Sequence, residues 1–324
     1  MRAAIGLTVF LSLSAPSVVV RGGTLPPLPV YRRFAGMQAI HVVTSGETLG
    51  HIVGRFGMST RLAAAINHLS DPNRLHLGQR LLLSDRHIVP STIDDGLVIN
   101  SGDLRLYWLR EGAVVADFPV GVGRVAWETP AGHYSIVSRR HDPVWHVPHS
   151  IQREMREHGE PVKKKVPPGP ENPLGKYWLQ LSVPAYGIHG TNAPWSVGKY
   201  TTHGCIRLRP DDIERLYKEV PNGTAVEIVD EAIKVARLDD GEILLEAHAG
   251  VSDHGAASPA TFLERLHGSE VADEVNFAAA QQVVRDAWGI AIAVNKKPAK
   301  ATKPSAAPVA HEPPPSPTAA GSTD

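Results

Sequence analysis

The sequence reads His189-Gly190-Thr191-Asn192-Ala193-Pro194-Trp195 and, after one short loop, Thr201-Thr202-His203-Gly204-Cys205-Ile206-Arg207-Leu208. Cys205 is the only cysteine in a chain of 324 residues, and it follows His203 closely. A thiol of ordinary pKa, about 8.5, is mostly protonated at neutral pH, so a nucleophilic cysteine needs a nearby imidazole, cation or helix N-terminus. The two histidines, Arg207 and a helix predicted from Pro210 to Val220 supply all three. The stretch therefore predicts a cysteine nucleophile with a histidine base.

The alternative is that Cys205 is a small buried apolar residue, which is the commoner role of a single cysteine. Gly204 argues against this, because a glycine lets the backbone turn tightly beside the thiol. We expect the amide N–H groups of Gly204 and Cys205 to point at a developing oxyanion. A single cysteine forms no internal disulfide, so we also expect the thiol to be free or paired between molecules.

The segment resembles the signature of the L,D-transpeptidase catalytic domain: His-Gly, then Ser/Thr-His-Gly-Cys, then Asn or Arg two residues past the cysteine. The resemblance implies that Cys205 is the acylated nucleophile and His189 its general base, oriented by the backbone carbonyl of Gly190. It places His203 on the oxyanion side. The two histidines could exchange these roles, because sequence order does not set geometry.

The same resemblance implies a second group of residues that line the oxyanion or the substrate: Gly204, Gly190, Arg207 and Thr202. Arg207 would fix the loop or bind a substrate carboxylate, although many members carry Asn at this position. The implied chemistry requires no metal and no organic cofactor.

Residues 40–84 predict a strand, two helices and a strand. They resemble a LysM module in the Gly46-Glu47-Thr48-Leu49 turn, in Asn67 and in the Gly-Gln before the last strand, with Leu77 where proline usually stands. Such modules bind the N-acetylglucosamine-containing glycan of peptidoglycan or chitin. The alternative is a small packing unit with no ligand.

Residues 94–230 form the predicted catalytic domain, and they begin with a β meander at residues 94–137. We expect a mostly β domain with a β-sandwich-like L,D-transpeptidase fold, preceded by the small α/β LysM module. Residues 139–175 are rich in Pro and Gly, and the resemblance makes them a cap over the cleft, with Trp145 and 172–175 lining substrate. His141, His146 and His149 in this region do not have the spacing of a zinc site.

The remaining segments carry weaker signals. Residues 1–22 have the pattern of a signal peptide, 23–39 that of a proline-rich linker, and 296–324 that of a tail too poor in apolar residues to fold. Residues 231–295 predict a strand at 242–246 and helices at 259–266 and 278–288, with no assigned role. The signal-peptide pattern predicts export. The resemblance to L,D-transpeptidases implies the periplasm of a Gram-negative envelope as the destination.

Acidic and basic residues balance at 33 each, which gives no indication of a nucleic-acid partner. We expect a monomer that acts on peptidoglycan stems and glycan strands. The resemblance implies cleavage of the terminal D-alanine of a tetrapeptide stem and transfer of the acyl group to an amine, on a second stem or on an outer-membrane lipoprotein. The alternatives are an L,D-carboxypeptidase and a catalytically silent peptidoglycan-binding protein.

Overall fold

The computed structural model describes residues 28–54, 60–249 and 258–297. The predicted signal peptide, and the tail beyond residue 297, lie outside these residues. Within them, no helix is long and apolar enough to cross a membrane.

Two short strands, β1 (Val30–Tyr31) and β2 (Phe34–Ala35), lie in the segment predicted as a linker. β1 pairs in parallel with residues 233–237, far along the chain, and β2 pairs with His87–Ile88. The linker prediction is therefore wrong for this part of the chain. The proline-rich composition predicted an unpacked spacer. In the structure, strands far along the chain supply hydrogen bonds to the backbone of this segment.

The predicted order of strand, helix, helix and strand is confirmed in the LysM region. The elements are β3 (Gln38–Val42), α1 (Leu49–Gly54), α2 (Thr60–Ile66) and β4 (Arg80–Ser84). β3 and β4 pair antiparallel. Asn67 ends α2 and binds the backbone of Leu82 in β4 through both amide atoms, at 2.6 and 2.8 Å. This contact fixes the helices on the two-stranded sheet.

The next part of the chain contributes most of the strands. They are β5 (His87–Ile88), β6 (Gly96–Asn100), β7 (Arg105–Arg110), β8 (Ala113–Pro119), β9 (Val122–Gly123), β10 (Gly132–His141), β11 (Trp145–His146), β12 (Lys165–Val166), β13 (Tyr177–Leu181), β14 (Gly187–His189), β15 (Tyr200–Thr202), β16 (Ile206–Arg207) and β17 (Ala225–Val229). The helices are α3 (His149–Glu157) and α4 (Pro210–Glu219). The mostly β prediction is confirmed.

Eight of these strands form one sheet in the order β16-β14-β13-β10-β17-β6-β7-β8. The β14–β16 and β17–β6 pairs are parallel and the others antiparallel, so β6 to β8 form the predicted meander. Alternate residues of these strands point into one apolar core, against which α4 buries Ile213 and Leu216. The sheet edge that carries β14 and β16 holds the histidine and cysteine segments.

The cap predicted for 139–175 consists of the β11–β12 pair with α3 between the two strands. Asn172 is fully buried in it, with its amide nitrogen 2.7 Å from the Pro143 carbonyl and its side-chain oxygen accepting from Leu174 N–H. Asn172 therefore holds the cap together and does not line substrate, contrary to the expectation.

Residues 231–295 contain more strand than predicted. The elements are β18 (Ile233–Arg237), β19 (Ile243–His248), α5 (Pro259–His267), α6 (Phe277–Asp286) and β20 (Trp288–Ala293). The two predicted helices and the strand at 242–246 are confirmed, whereas β18 and β20 were missed. These strands form a sheet in the order β1-β18-β19-β20.

This C-terminal unit packs against both of the other units. Ile290 of β20 is buried with the LysM core, and Ala291, the next residue, is buried with Ile88 of β5. On the catalytic side, Lys234 of β18 binds Asp103 inside the protein. The unit therefore connects the LysM module to the catalytic domain.

Candidate active site

The pairing of β14 with β16 decides which side chains share a face. Ile188 lies beside Ile206, and both are fully buried in the core. Because side chains alternate across a strand, the residues on either side of these two point to the opposite face. His189 is paired with Arg207 on that face. The backbone N–H of Gly187 donates a hydrogen bond to the Cys205 sulfur, which places the thiol beside Gly187.

Gly187, the neighbour of the thiol on β14, carries no side chain. A Cβ atom at this position would lie 2.4 Å from the ring of Trp178, so no larger residue fits. The Trp178 ring stacks on His189, with centroids 5.6 Å apart and planes at 21°. Trp178 thus occupies the space that a side chain at 187 would need, and it packs against the imidazole.

His189 is buried, and its Nδ1 lies 2.6 Å from the Gly190 carbonyl oxygen. This is the hydrogen bond predicted to orient the ring. A carbonyl only accepts, so Nδ1 carries the proton and Nε2 has the free electron pair. Nε2 is therefore the nitrogen that can accept a proton.

The thiol and the imidazole are both uncharged at rest. Burial raises the pKa of Cys205 to about 11, against the smaller opposite effects of a Gly187 backbone hydrogen bond and the Arg207 charge. Burial, together with the Arg207 charge, lowers the pKa of His189 to about 3. With both groups uncharged, the proton must leave the thiol as the sulfur attacks.

The predicted helix N-terminus does not contribute directly. α4 begins at Pro210 as expected, but β16 and two further residues separate it from Cys205. The thiol instead donates to the carbonyl oxygen of Ala185 at 3.6 Å. Ala185 has a φ of 69°, which is unusual for a residue with a side chain.

The loop before Cys205 is held by Thr202. Its hydroxyl donates to the Cys205 carbonyl at 2.7 Å and accepts from the Gly204 N–H at 3.1 Å. Gly204 has a φ of 100°, and a Cβ there would lie 2.5 Å from the Tyr186 ring. The Gly204 amide is therefore hydrogen-bonded within the loop, in contrast to the prediction that it points at an oxyanion.

Arg207 fixes a neighbouring loop, which is one of the two roles expected for it. Its Nη1 donates to Ser196 Oγ at 2.8 Å, and its backbone pairs with Gly121. Burial lowers the pKa of Arg207, because transfer of this cation out of water is energetically unfavourable. A negative charge developing near Cys205 would offset that cost.

His203 has partners that the sequence did not indicate. Its Nε2 lies 2.9 Å from Glu154 Oε2, on α3 of the cap, and 3.1 Å from Nη2 of Arg124. Glu154 also binds Arg124, and the Trp127 ring lies 5.3 Å from the His203 ring. Glu154 precedes His203 by 49 residues in no recognisable motif, so no local signal could have found it.

The three cap histidines do not form a metal cluster. Within the described residues, three potential ligands converge elsewhere, at His87, Glu246 and His248. Their contacts, 2.9 and 2.6 Å from the two rings to one carboxylate oxygen, are of hydrogen-bond length. The Lys234 ammonium lies 3.1 Å from the other oxygen and repels a cation, so the residues do not fit a metal.

Comparison with known proteins identifies two domains in this chain. A sequence model of the L,D-transpeptidase catalytic domain (YkuD) matches residues 94–228, and one of the LysM domain matches residues 41–84. The probable L,D-transpeptidase YbiS of Escherichia coli strain K12 is 34% identical over 231 residues, which cover 70% of this chain and 75% of that protein. The probable L,D-transpeptidase ErfK/SrfK of Salmonella typhimurium is 34% identical over 235 residues, covering 71% and 76% respectively.

Among solved structures, the catalytic domain of the Enterococcus faecium L,D-transpeptidase, determined by NMR, aligns with a TM-score of 0.34 and 18% identity, over 43% of this chain and 99% of that one. The extent and identity of the matches to the curated proteins are what establish the relationship. This chain belongs to the L,D-transpeptidase family and carries a LysM domain before its catalytic domain.

Proposed function

We propose that this protein is a peptidoglycan L,D-transpeptidase that acts through a thioester on Cys205. The observation that supports the proposal is that Cys205 directly precedes β16 and is hydrogen-bonded by the backbone of Gly187 on β14, the strand that also carries His189. Membership of the family supports an enzyme that acts on peptidoglycan.

The first half-reaction forms the thioester. Cys205 Sγ attacks the carbonyl carbon of the third stem residue, a diamino acid, while the thiol proton passes to His189 Nε2. The C–N bond to the terminal D-alanine then breaks, and the leaving amine takes the proton from His189. Because thiol and imidazole start uncharged, proton transfer and attack occur together.

The second half-reaction releases the acyl group. An acceptor amine attacks the thioester carbon and gives a proton to His189, and the departing Cys205 thiolate takes that proton back. The half-buried Arg207 cation lowers the pKa of the thiol, which stabilises the thiolate as it leaves. Histidine suits this cycle because it both accepts and returns a proton.

The mechanism is tested by intact-protein mass after incubation with a carbapenem, a mimic of the acyl donor. We expect one adduct on the wild-type chain and none on Cys205→Ala, since no second thiol is present. An adduct on the variant would refute the assignment of Cys205. Product masses with a tetrapeptide muropeptide separate the activities: cross-linked dimers indicate a transpeptidase, tripeptide alone a carboxypeptidase, and no product a silent domain.

For the acceptor we favour a second stem, giving 3→3 cross-links, over the C-terminal lysine of an outer-membrane lipoprotein. A second stem is chemically the same molecule as the donor and requires no additional partner. Thioesters react with whichever amine the cleft holds in line. A competition between stem and lysine-terminated peptide decides this, and a dominant peptide conjugate would show an anchoring enzyme.

The LysM module would hold the enzyme on glycan strands in the periplasm. Deleting 40–84 would also expose Ile290 of the C-terminal unit, so deletion is a poor test. Displacement is cleaner, because it uses the intact chain. N-acetylglucosamine oligosaccharides should reduce co-sedimentation with insoluble peptidoglycan, and unchanged sedimentation at saturating oligosaccharide would contradict glycan binding.

A further inference from the structure

The cap and the active-site loop meet at one carboxylate. Glu154, on α3, accepts from Arg124 with one oxygen and contacts His203 Nε2 with the other at 2.9 Å. The side chains of Glu154 and His203 are each about one quarter exposed. Trp127 also hydrogen-bonds to this carboxylate and lies against the imidazole. Two segments distant in sequence, residues 124–127 and α3, therefore converge on His203.

The charges of these groups fix the state of the imidazole. The hydrogen bond with His203 and the charge of Arg124 hold the pKa of Glu154 below its usual range, so it is an anion at neutral pH. A carboxylate only accepts and a guanidinium only donates. Nε2 can hydrogen-bond to only one of these two neighbours, and the shorter contact, to the Glu154 carboxylate, places the proton on Nε2 and leaves Nδ1 to face other partners.

This is the reverse of the arrangement at His189. There Nδ1 carries the proton for the Gly190 carbonyl, and Nε2 is free. The two histidines are thus held in opposite tautomers by two different acceptors. A carboxylate also stabilises a positive imidazole more strongly than a carbonyl does, which suits His203 for stabilising negative charge and His189 for accepting a proton.

We propose that Glu154 is a positioning residue for the reaction, which fixes His203 with Nε2 toward the cap and Nδ1 available to the acyl intermediate. The inference rests on the proposed function. Because Glu154 belongs to the cap, the alignment of His203 is complete only when α3 is docked on Arg124 and Trp127. If α3 moved away from the sheet edge, His203 would lose its alignment and the active site would lose its cap.

The test uses Glu154→Ala, Glu154→Gln and a matched control, Glu157→Ala, on the full chain. Glu157 lies on the same helix but is exposed, and alanine preserves helix α3 in both alanine variants. With a tetrapeptide muropeptide, we expect Glu154→Ala to lower kcat about tenfold or more with KM changed by less than about twofold. Glu154→Gln, which keeps an acceptor oxygen, should be intermediate, and Glu157→Ala should match wild type.

A second readout does not depend on turnover. Nitrogen-15 NMR of labelled histidine, with the His203 signals assigned by loss in His203→Gln, should show Nε2 protonated in wild type and in Glu157→Ala. The preference should be lost in Glu154→Ala. Equal melting temperatures of the two alanine variants would show that both are folded.

Several outcomes would overturn the proposal. One is a Glu154→Ala protein with wild-type kcat, and another is an unchanged His203 tautomer in that variant. A lower KM with unchanged kcat would mean that Glu154 instead competes with a substrate carboxylate for Arg124. If wild type forms neither adduct nor product, the proposed function fails, whereas the NMR result still decides whether Glu154 orients His203.

Discussion

His189 and Arg207 stand at paired positions on the parallel strands β14 and β16, so a buried imidazole and a half-buried guanidinium share one face of the sheet. The Arg207 charge lowers the pKa of His189 and also that of the Cys205 thiol. It therefore opposes a charged base at rest but favours the thiolate. The same cation keeps the base neutral and stabilises negative charge at the nucleophile.

Replacing Arg207 with Gln should slow alkylation of Cys205 by iodoacetamide by about threefold or more at pH 8, because loss of the nearby cation raises the thiol pKa. Arg207→Lys keeps a positive charge and should retain most of the wild-type rate. The measurement is the alkylation rate as a function of pH. Equal rates in the Gln and Lys variants would show that the charge is not the cause.

Acid should destabilise the protein in part through His189, whose pKa is lowered from 6.5 to about 3 in the folded state. Between these values the unfolded chain binds a proton that the folded chain does not. The free energy of unfolding therefore falls as pH drops from about 6.5 to 3, by at most about 1.4 kcal/mol per pH unit from this group. His189→Asn lacks this contribution.

The measurement is urea denaturation of wild type and His189→Asn at several pH values. Their difference isolates His189, because other buried groups such as His87, whose pKa is also lowered by burial, are common to both. The wild-type curve should be steeper between pH 6.5 and 3. If the free energies of unfolding of the two proteins depend on pH in the same way, the pKa of His189 is the same in the folded and the unfolded state.

Gly187→Ala should reduce both stability and acylation, since the new Cβ would lie 2.4 Å from Trp178, the ring that stacks on His189. Overpacking of this kind costs about 1 to 3 kcal/mol. Adding Trp178→Leu should recover part of the stability by making space. The measurements are the carbapenem acylation rate and the melting temperature of the single and double variants. If the double variant loses as much stability as the two single variants together, the steric explanation is contradicted.

Lys234→Met should be strongly destabilising, by about 3 to 5 kcal/mol, because it leaves Asp103 and Glu246 as fully buried carboxylates without their cation. Arg237→Met, in the same strand, breaks only the half-exposed pair with Glu274 and should cost less than about 1 kcal/mol. Chemical denaturation compares the two. Similar losses would show that the buried pair does not hold the C-terminal unit in place.

Local patterns were sufficient for elements whose stability is local. The LysM order, the β6–β8 meander, α4 with Pro210 at its start and α5 with Ser258 at its cap follow from apolar periodicity and capping residues. β1 and β20 were missed, because they derive their stability from partners far along the chain, and β18 was missed although it forms a hairpin with β19. A composition-based prediction carries no information about such partners.

For the candidate site, the sequence by itself determined which residues carry the chemistry: Cys205 in its Thr-His-Gly-Cys setting, His189 before Gly190, and Arg207 two residues past the thiol. Tertiary structure alone decided their charge states, because burial and strand register set the pKa values of the thiol and imidazole. It also supplied Glu154, since a carboxylate on the cap reaches His203 only when α3 folds over the sheet edge. Short sequence motifs specify which residues are present at the site. The protonation states of their side chains depend on neighbours that only the folded chain brings together.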